Sequence, residues 1–205
     1  MKSNDIKKVR KAMEKNLDSR RYEHTLGVAY TAAALAMRYD ASIKSAQLAG
    51  LLHDCAKCMS DEKRIAICEK HNISMNEIER RNPYLLHAKV GSYLAMEEFH
   101  VGDPDIIHAI LNHTTGRPGM SLLEKIIFIA DYIEPERRQA PNLKEIRRLA
   151  FVDLDQAMLK VLGDTLDYLE SSGGEIDPMT RKTYDYFAAR VCGQQSEEEK
   201  GESYE

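Results

Sequence analysis

Apolar residues recur along nearly the whole chain at intervals of three and four, and the strict alternation of a half-buried strand is absent. The first stripe, Ile6, Val9, Met13 and Leu17, predicts an amphipathic helix over residues 4–17. Asp18 or Ser19 caps a second helix running to about Tyr39, and Ser42 starts a third. Ser60 starts a fourth, whose first turn carries Asp61 and Glu62, acids that complement the helix dipole. Ser74 with Glu77 reads as a capping box. Asn82-Pro83 interrupts the chain before a helix over about 84–99. Asp103-Pro104, a cap followed by proline at the first helical position, opens a short helix to about Asn112. Residues 113–119, His-Thr-Thr-Gly-Arg-Pro-Gly, have loop composition. Ser121 with Glu124 is a second capping box, for a helix stopped by Pro135, and Asn142 with Glu145 resembles a third. A long amphipathic helix covers 154–171, Ser171-Ser172-Gly173-Gly174 is a turn, and Asp177-Pro178 opens a last helix ending near Val191. The pattern predicts one all-α domain over 1–192 and a disordered acidic tail over 193–205, where Gln, Ser, Glu and Gly dominate.

Composition changes this picture little. With 205 residues, 43% hydrophobic and 30% charged, the chain fits an ordinary soluble globular protein with one sizeable core. A net charge of −4 argues against wholesale nucleic-acid binding. No apolar run approaches the roughly 20 residues of a membrane helix, and the charged N-terminus lacks the apolar core of a secretory signal. The four cysteines then read as reduced thiols in a cytoplasm. No signal fixes the oligomeric state, although an exposed apolar helix face would permit a homodimer.

Candidate chemistry centres on Leu48-Ala49-Gly50-Leu51-Leu52-His53-Asp54, an apolar helical run ending in an imidazole and an acid. Both are costly to bury unless paired, and a metal is the most economical partner: histidine with carboxylate suits Zn, Mn and Fe. Adjacent helical residues point about 100° apart. At a helix end the chain turns, and both side chains can reach one ion. His24 shares a face with Val28, Thr31 and Leu35 and so points inward. Alone it reads as a buried histidine with one hydrogen bond; beside His53 and Asp54 it becomes a ligand candidate. Asp131 lies on a stripe with Ile127 and Phe128 and needs a cation, either a metal or Arg137 or Arg138. His113 ends a helix at a glycine-containing loop, and His87 opens a helix; each alone is more often a surface residue. His71, His100 and His108 read as structural or exposed. Lys57, Lys89, Arg117 and Arg137 lie close to these groups along the chain and bring positive charge near them. Cys55-Ala56-Lys57-Cys58 has neither a βαβ context nor a second cysteine pair, so a redox or zinc role is disfavoured. Oxidation of Cys55 beside Asp54 would still disturb the site. Glu97-Glu98-Phe99-His100 supplies one Glu-x-x-His where a di-iron bundle needs two.

The order His24 … His53-Asp54 … Asp131 resembles the HD-domain metal-dependent phosphohydrolases. The segments 51–57 (Leu-Leu-His-Asp-Cys-Ala-Lys), 112–116 (Asn-His-Thr-Thr-Gly) and 129–137 (Ile-Ala-Asp-Tyr-Ile-Glu-Pro-Glu-Arg) are similar to one branch, the bacterial symmetrical bis(5′-nucleosyl)-tetraphosphatases, over roughly residues 18–190. The resemblance implies a single HD-domain helical bundle that cleaves diadenosine tetraphosphate with water into two ADP. It implies iron, with manganese or zinc as alternatives, on His24, His53, Asp54 and Asp131. His87 and His113 would face the phosphates or hold a second metal, ~3.5–4 Å from the first with Asp54 between them. Such an ion lowers the pKa of bound water and polarises the phosphoryl group. Asp54, Lys57, His87 and His113 form the implied catalytic set, with His113 protonating or holding the departing ADP. His87, Lys89, His113, Thr114, Arg117, Arg137, Pro178 and Thr180 are the implied substrate contacts. The chain departs from the branch in its last helix. The usual His-Pro start reads Asp177-Pro178, and the usual Arg-Asn pair reads Tyr184-Asp185, an aromatic for a cation and an acid for an amide. That departure keeps two alternatives open: an HD hydrolase for another nucleotide, and a slow-turnover nucleotide-binding regulatory module.

Overall fold

A computed structural model describes residues 5–202, with side chains for residues 5–193. Among the described residues the chain is all-α, as the periodicity predicts. The first two helices are α1 (Ile6–Asn16) and α2 (Ser19–Arg38), the latter capped by Asp18, which accepts from the Arg21 amide. Helix α3 (Ile43–Leu52) is capped by Ser42 and α4 (Asp61–Lys70) by Ser60. Then come α5 (Glu77–Arg81), a 3-10 turn (Pro83–Leu86), α6 (His87–Glu97) and α7 (Pro104–Leu111). Helix α8 (Leu122–Ile133) carries the expected Ser121/Glu124 box. The chain closes with α9 (Leu143–Leu149), α10 (Leu154–Ser172) and α11 (Pro178–Glu202).

Several expected boundaries move. The capping box before α5 is Asn76 with Glu79, two residues later than Ser74 with Glu77. The Glu79 carboxylate accepts from the Asn76 amide at 2.8 Å and also binds Lys89, which anchors the helix start there. Asn142 forms no box with Glu145. Its backbone is left-handed, its side chain donates to Asp164, and Glu145 pairs with Lys160 instead. Proline at 83 gives a 3-10 turn, so the α-helix proper begins at His87. Helix α11 runs past the expected end near Val191; of the anticipated tail, residues 203–205 lie outside the described residues.

Helices α2 and α3 pack face to face through small residues. Ala29, Ala32, Ala36, Ala46 and Ala49 are all buried there, and a Cβ on Gly50 would meet the Ala29 Cα at 2.7 Å. Only glycine allows that approach, which sets the His24 and His53 rings 5.4 Å apart. Helix α8 covers this pair, with Ile126, Ile127 and Ile129 fully buried, and α7 closes against α3. Each such side chain stabilises the fold by about 1.5–3 kcal/mol, so the frame tolerates a cluster of buried polar groups. Beyond α3 the chain turns over residues 53–59. Buried Arg64 holds that turn by donating to the carbonyls of Ala56, Lys57 and Met59, and ties it to Pro83 by donating to that carbonyl as well. Helix α10 packs on α8, and α11 on α10.

Candidate metal centre

The expected ligands converge. His24 comes from α2, His53 and Asp54 from the end of α3, His87 from the first position of α6, His113 from the turn after α7 and Asp131 from α8. They divide around the two oxygens of Asp54. On one side, Asp54 Oδ2 lies 3.9 Å from His24 Nε2 and 3.5 Å from His53 Nε2. Asp131 Oδ1 closes that group, 3.0 Å from His24 Nε2 and 4.0 Å from His53 Nε2. On the other side, Asp54 Oδ1 lies 3.4 Å from His87 Nε2 and 3.6 Å from His113 Nε2. Two sets, His24 with His53 and Asp131, and His53 with Asp54 and His113, bring their donor atoms within 4.8 Å of one another.

The tautomers follow from the partners behind the rings. Nδ1 of His53 is 2.7 Å from the Gly50 carbonyl, Nδ1 of His87 is 2.7 Å from that of Tyr84, and Nδ1 of His113 is 2.7 Å from that of Ile110. A carbonyl only accepts, so each Nδ1 carries the proton and each Nε2 presents a lone pair inward. His24 is held likewise by the Glu134 carboxylate, 3.1 Å from its Nδ1. Nε2 of His24, Nε2 of His53 and Oδ1 of Asp54 are buried without a hydrogen-bond partner. Lone pairs facing carboxylate oxygens at these distances repel unless a cation stands between them, so the donor set fits a divalent metal. Carboxylate or carbonyl behind each imidazole is the arrangement that fixes a metal-binding histidine.

Charge around the centre is arranged to match. Burial would raise the Asp54 carboxyl, but positive charge on the imidazoles of His53, His113 and His87, when they are protonated, outweighs it and holds it well below the ordinary range. Asp131 is depressed in the same way, against desolvation, by His24 and His53. Burial lowers His24, yet Asp131, Glu134 and Asp54 bring it out above the ordinary histidine value. His87 is pushed down to about 3 by burial, by His113 and by Lys57, so it stays neutral at physiological pH. Lys57 is lowered by burial against the pull of Asp54. Its Nζ lies 3.1 Å from His87 Nε2, so the Oδ1 side of Asp54 already has one cation at hand. Thr114 Oγ1 stands 3.3 Å from the same nitrogen.

A cavity of about 290 Å³ opens onto this centre, lined by Asp54, Lys57, His87, His113, Thr114 and Arg137. Phe128, Tyr132 and Val161 add apolar surface to its wall. Lys89 and Pro178 line a neighbouring cavity that shares Thr114 with it. Lys89 is tied to Glu79, and Thr180 is buried. Arg117 is not brought to the site: its guanidinium forks onto fully buried Glu124 at 2.7 and 2.6 Å, because that carboxylate needs a cation. Arg137 donates to Asp131 at 2.9 Å, so the arginine and metal readings of Asp131 coexist. Tyr184 packs toward α10, where a Cβ on Gly163 would lie 3.6 Å from its ring, and Asp185 is exposed, so neither lines these cavities. Cys55 is buried, its thiol pushed up to about 12 by burial and by Asp54, whereas Cys58 is exposed; all four cysteines are free.

Two residues of the site went unnoticed in the sequence. Arg21 donates to Asp54 Oδ2 at 2.7 Å, and Glu134 holds His24. Each lies three residues from a ligand on a helix, Arg21 before His24 and Glu134 after Asp131. That i, i+3 spacing was the available signal.

The fold and its donor set define a helical HD-type metal centre, and the chain belongs to the HD domain family, whose sequence profile matches residues 21–136. It is similar to the symmetrical bis(5′-nucleosyl)-tetraphosphatase of Bacillus subtilis (strain 168), 41% identical over 86% of this chain and 94% of the relative. It is 45% identical to that of Halalkalibacterium halodurans over 82% of this chain and 89% of the relative. Among solved structures it resembles a predicted HD superfamily hydrolase involved in NAD metabolism from Clostridium acetobutylicum. That likeness has a TM-score of 0.87 and 41% identity, covering 91% of this chain and 98% of the other.

Proposed function

We propose that the protein is a metal-dependent hydrolase that cleaves diadenosine tetraphosphate symmetrically into two ADP. The observation that carries the reading is the pair of imidazole groups on opposite oxygens of Asp54, with buried Nε2 atoms left without partners. Relatives at 41% and 45% identity carry that activity in their names. His24, His53, Asp54 and Asp131 would hold the ion; mixed imidazole and carboxylate donors suit iron, manganese and zinc alike, and the family resemblance favours iron. When bound, such an ion supplies a water of lowered pKa and polarises a phosphoryl oxygen.

The chain's own groups do the rest. Lys57 and Arg137 face the cavity as phosphate cations, and Thr114 offers a hydroxyl. His113, its Nδ1 proton fixed on Ile110, turns its Nε2 toward Asp54 Oδ1 at 3.6 Å, and a proton gained on that nitrogen would let it hold or protonate the departing diphosphate. His87 remains neutral and accepts from Lys57, and the two keep the second half of the site ready for phosphate. A second ion on His87 and His113 would have to displace the Lys57 ammonium. Lys89 and Pro178 extend the contact surface past Thr114. Phe128 and Tyr132 offer a wall for the nucleoside. Four free cysteines favour a reducing compartment, the cytoplasm, and no helix among the described residues is long and apolar enough to cross a membrane.

The test is elemental analysis of protein purified without chelator, followed by a nucleotide panel. The reading expects bound iron and ADP as the sole product from diadenosine tetraphosphate. Release of AMP or inorganic phosphate from other nucleotides, with the dinucleotide untouched, would replace it with an HD hydrolase of different substrate. ADP binding without turnover of any nucleotide would replace it with a regulatory module.

A further inference from the structure

Resting on that reading, we propose that a second cavity, behind His24, receives the other nucleoside diphosphate half of the substrate, with Arg20 and Arg138 as its phosphate contacts. This cavity measures about 530 Å³ and is lined by Arg20, Arg21, His24, Glu134, Arg137 and Arg138 among others. It shares Arg21 and Arg137 with the cavity that holds Asp54, His87 and His113. Two concave spaces therefore meet beside the candidate metal centre, at Arg21 and Arg137.

Symmetrical cleavage requires that geometry. The bond that breaks is the central phosphoanhydride, so two equal halves run away from the reacting point in different directions. The cavity of about 290 Å³ lies just below the range for one drug-sized ligand and has no room for both halves, and the neighbouring cavity that shares Thr114 has no arginine in its wall. The larger one adjoins it across Arg21 and Arg137.

Its chemistry suits phosphate better than a base. Four arginines line it against three acids, of which Glu134 is taken by His24 and Glu136 by Arg138, leaving exposed Glu23. Arg21 and Arg137 are engaged with Asp54 and Asp131. Among the described residues Arg138 pairs only with Glu136, in a contact where both side chains are largely exposed (78% and 62%), and such pairs are worth little and exchange readily. Arg20 is exposed and makes no ion pair among the described residues. Both are therefore available to a phosphate chain, which an arginine fork recognises better than a point charge does. Scattered surface arginines would read as solvated charge; these line one concave wall that opens onto the ligand His24. The near cavity, with Phe128 and Tyr132, then reads one nucleoside by shape, and the far one grips its half by charge.

The test compares one half with the whole. In metal-loaded protein, binding of ADP and of a diadenosine tetraphosphate analogue with a methylene at the central bridge is measured for wild type and for Arg20→Gln/Arg138→Gln. The double variant should bind the analogue about tenfold more weakly while its ADP affinity changes by less than about twofold. Both positions are exposed, so the melting temperature serves as the folding control. Equal weakening for both ligands, or no weakening for the analogue, overturns the proposal. The same preparation of wild type is assayed for hydrolysis: absence of ADP production there removes the functional reading and this inference with it. Turnover by wild type combined with an unaffected double variant removes the inference alone.

Discussion

Replacing Glu134 by glutamine keeps the shape of a buried side chain and removes its charge, and the consequence should be read in metal affinity. Glu134 Oε1 accepts from His24 Nδ1 at 3.1 Å, and Oε2 accepts from the Glu136 amide at 2.6 Å. Glutamine keeps a single, uncharged acceptor oxygen, enough for His24 or for the Glu136 amide but not for both, and its NH2 would face the other donor. A hydrogen bond to a charged group contributes about 1.5–3 kcal/mol and a neutral one about 0.5–1.5, so the loss at His24 is about 1–1.5 kcal/mol. At about 1.4 kcal/mol per decade this is roughly tenfold in affinity. Glu134→Ala also frees the imidazole to rotate and should approach the hundredfold loss typical, to order of magnitude, of groups behind a metal ligand. Gly27→Ala offers an independent route, since its Cβ would lie 2.7 Å from Glu134 Oε2 and push the carboxylate away. Combined with Glu134→Gln it should be less than additive, because both act through the same bond. The assay is competition of each apoprotein against a chelator of known affinity. If Glu134→Ala holds metal within about twofold of wild type, with its melting curve unchanged, the orienting role assigned to Glu134 is wrong.

Asp54→Ala should abolish both bound metal and hydrolysis while circular dichroism stays helical, because the lost carboxylate is tolerable there only with a cation; retained activity would contradict the assignment. Arg117→Ala should leave phosphate binding nearly unchanged and reduce stability by about 2–4 kcal/mol at neutral pH, the cost of orphaning buried Glu124 after discounting for partly exposed Arg117. Against burial, Arg117, the Ser121 amide and Asn112 hold the Glu124 carboxyl below its ordinary value. A depressed acid stabilises the fold above its unfolded pKa and loses that contribution as pH falls through the folded one. The gap between variant and wild type should therefore narrow below about pH 4 in thermal melts, and a gap independent of pH would refute the pairing. Iodoacetamide near pH 8 should label exposed Cys58 and spare buried Cys55, whose thiol is pushed up to about 12; equal labelling of both in folded protein, read by mass spectrometry, would show the turn after α3 to be open.

Much of the candidate site could be read along the chain because the residues that converge there sit at marked places. His53 and Asp54 end an apolar helix, Asp131 interrupts the apolar stripe of α8, and His24 lies on a face with Val28 and Leu35. Each is a polar group where the pattern demands an apolar one. Arg117 misled for the opposite reason: a basic residue in a loop next to His113 looks the same whether it faces a phosphate or Glu124. The acid that claims it was already committed, in the pattern, to the Ser121 capping box. Asn142 looked like a cap by residue type, but its left-handed backbone turns the side chain to Asp164.

By itself the sequence determined the helices, most of their caps and the kinds of ligand, since periodicity, capping and the burial cost of charge are properties of short stretches. Tertiary packing alone decided which imidazoles face which oxygen of Asp54, that Glu134 and Arg21 stand behind the ligands, and that two cavities meet beside the candidate centre. Gly50 against Ala29 fixes how closely α2 approaches α3, and with it the distance between His24 and His53. A spacing of twenty-nine residues along the chain carries no record of that distance.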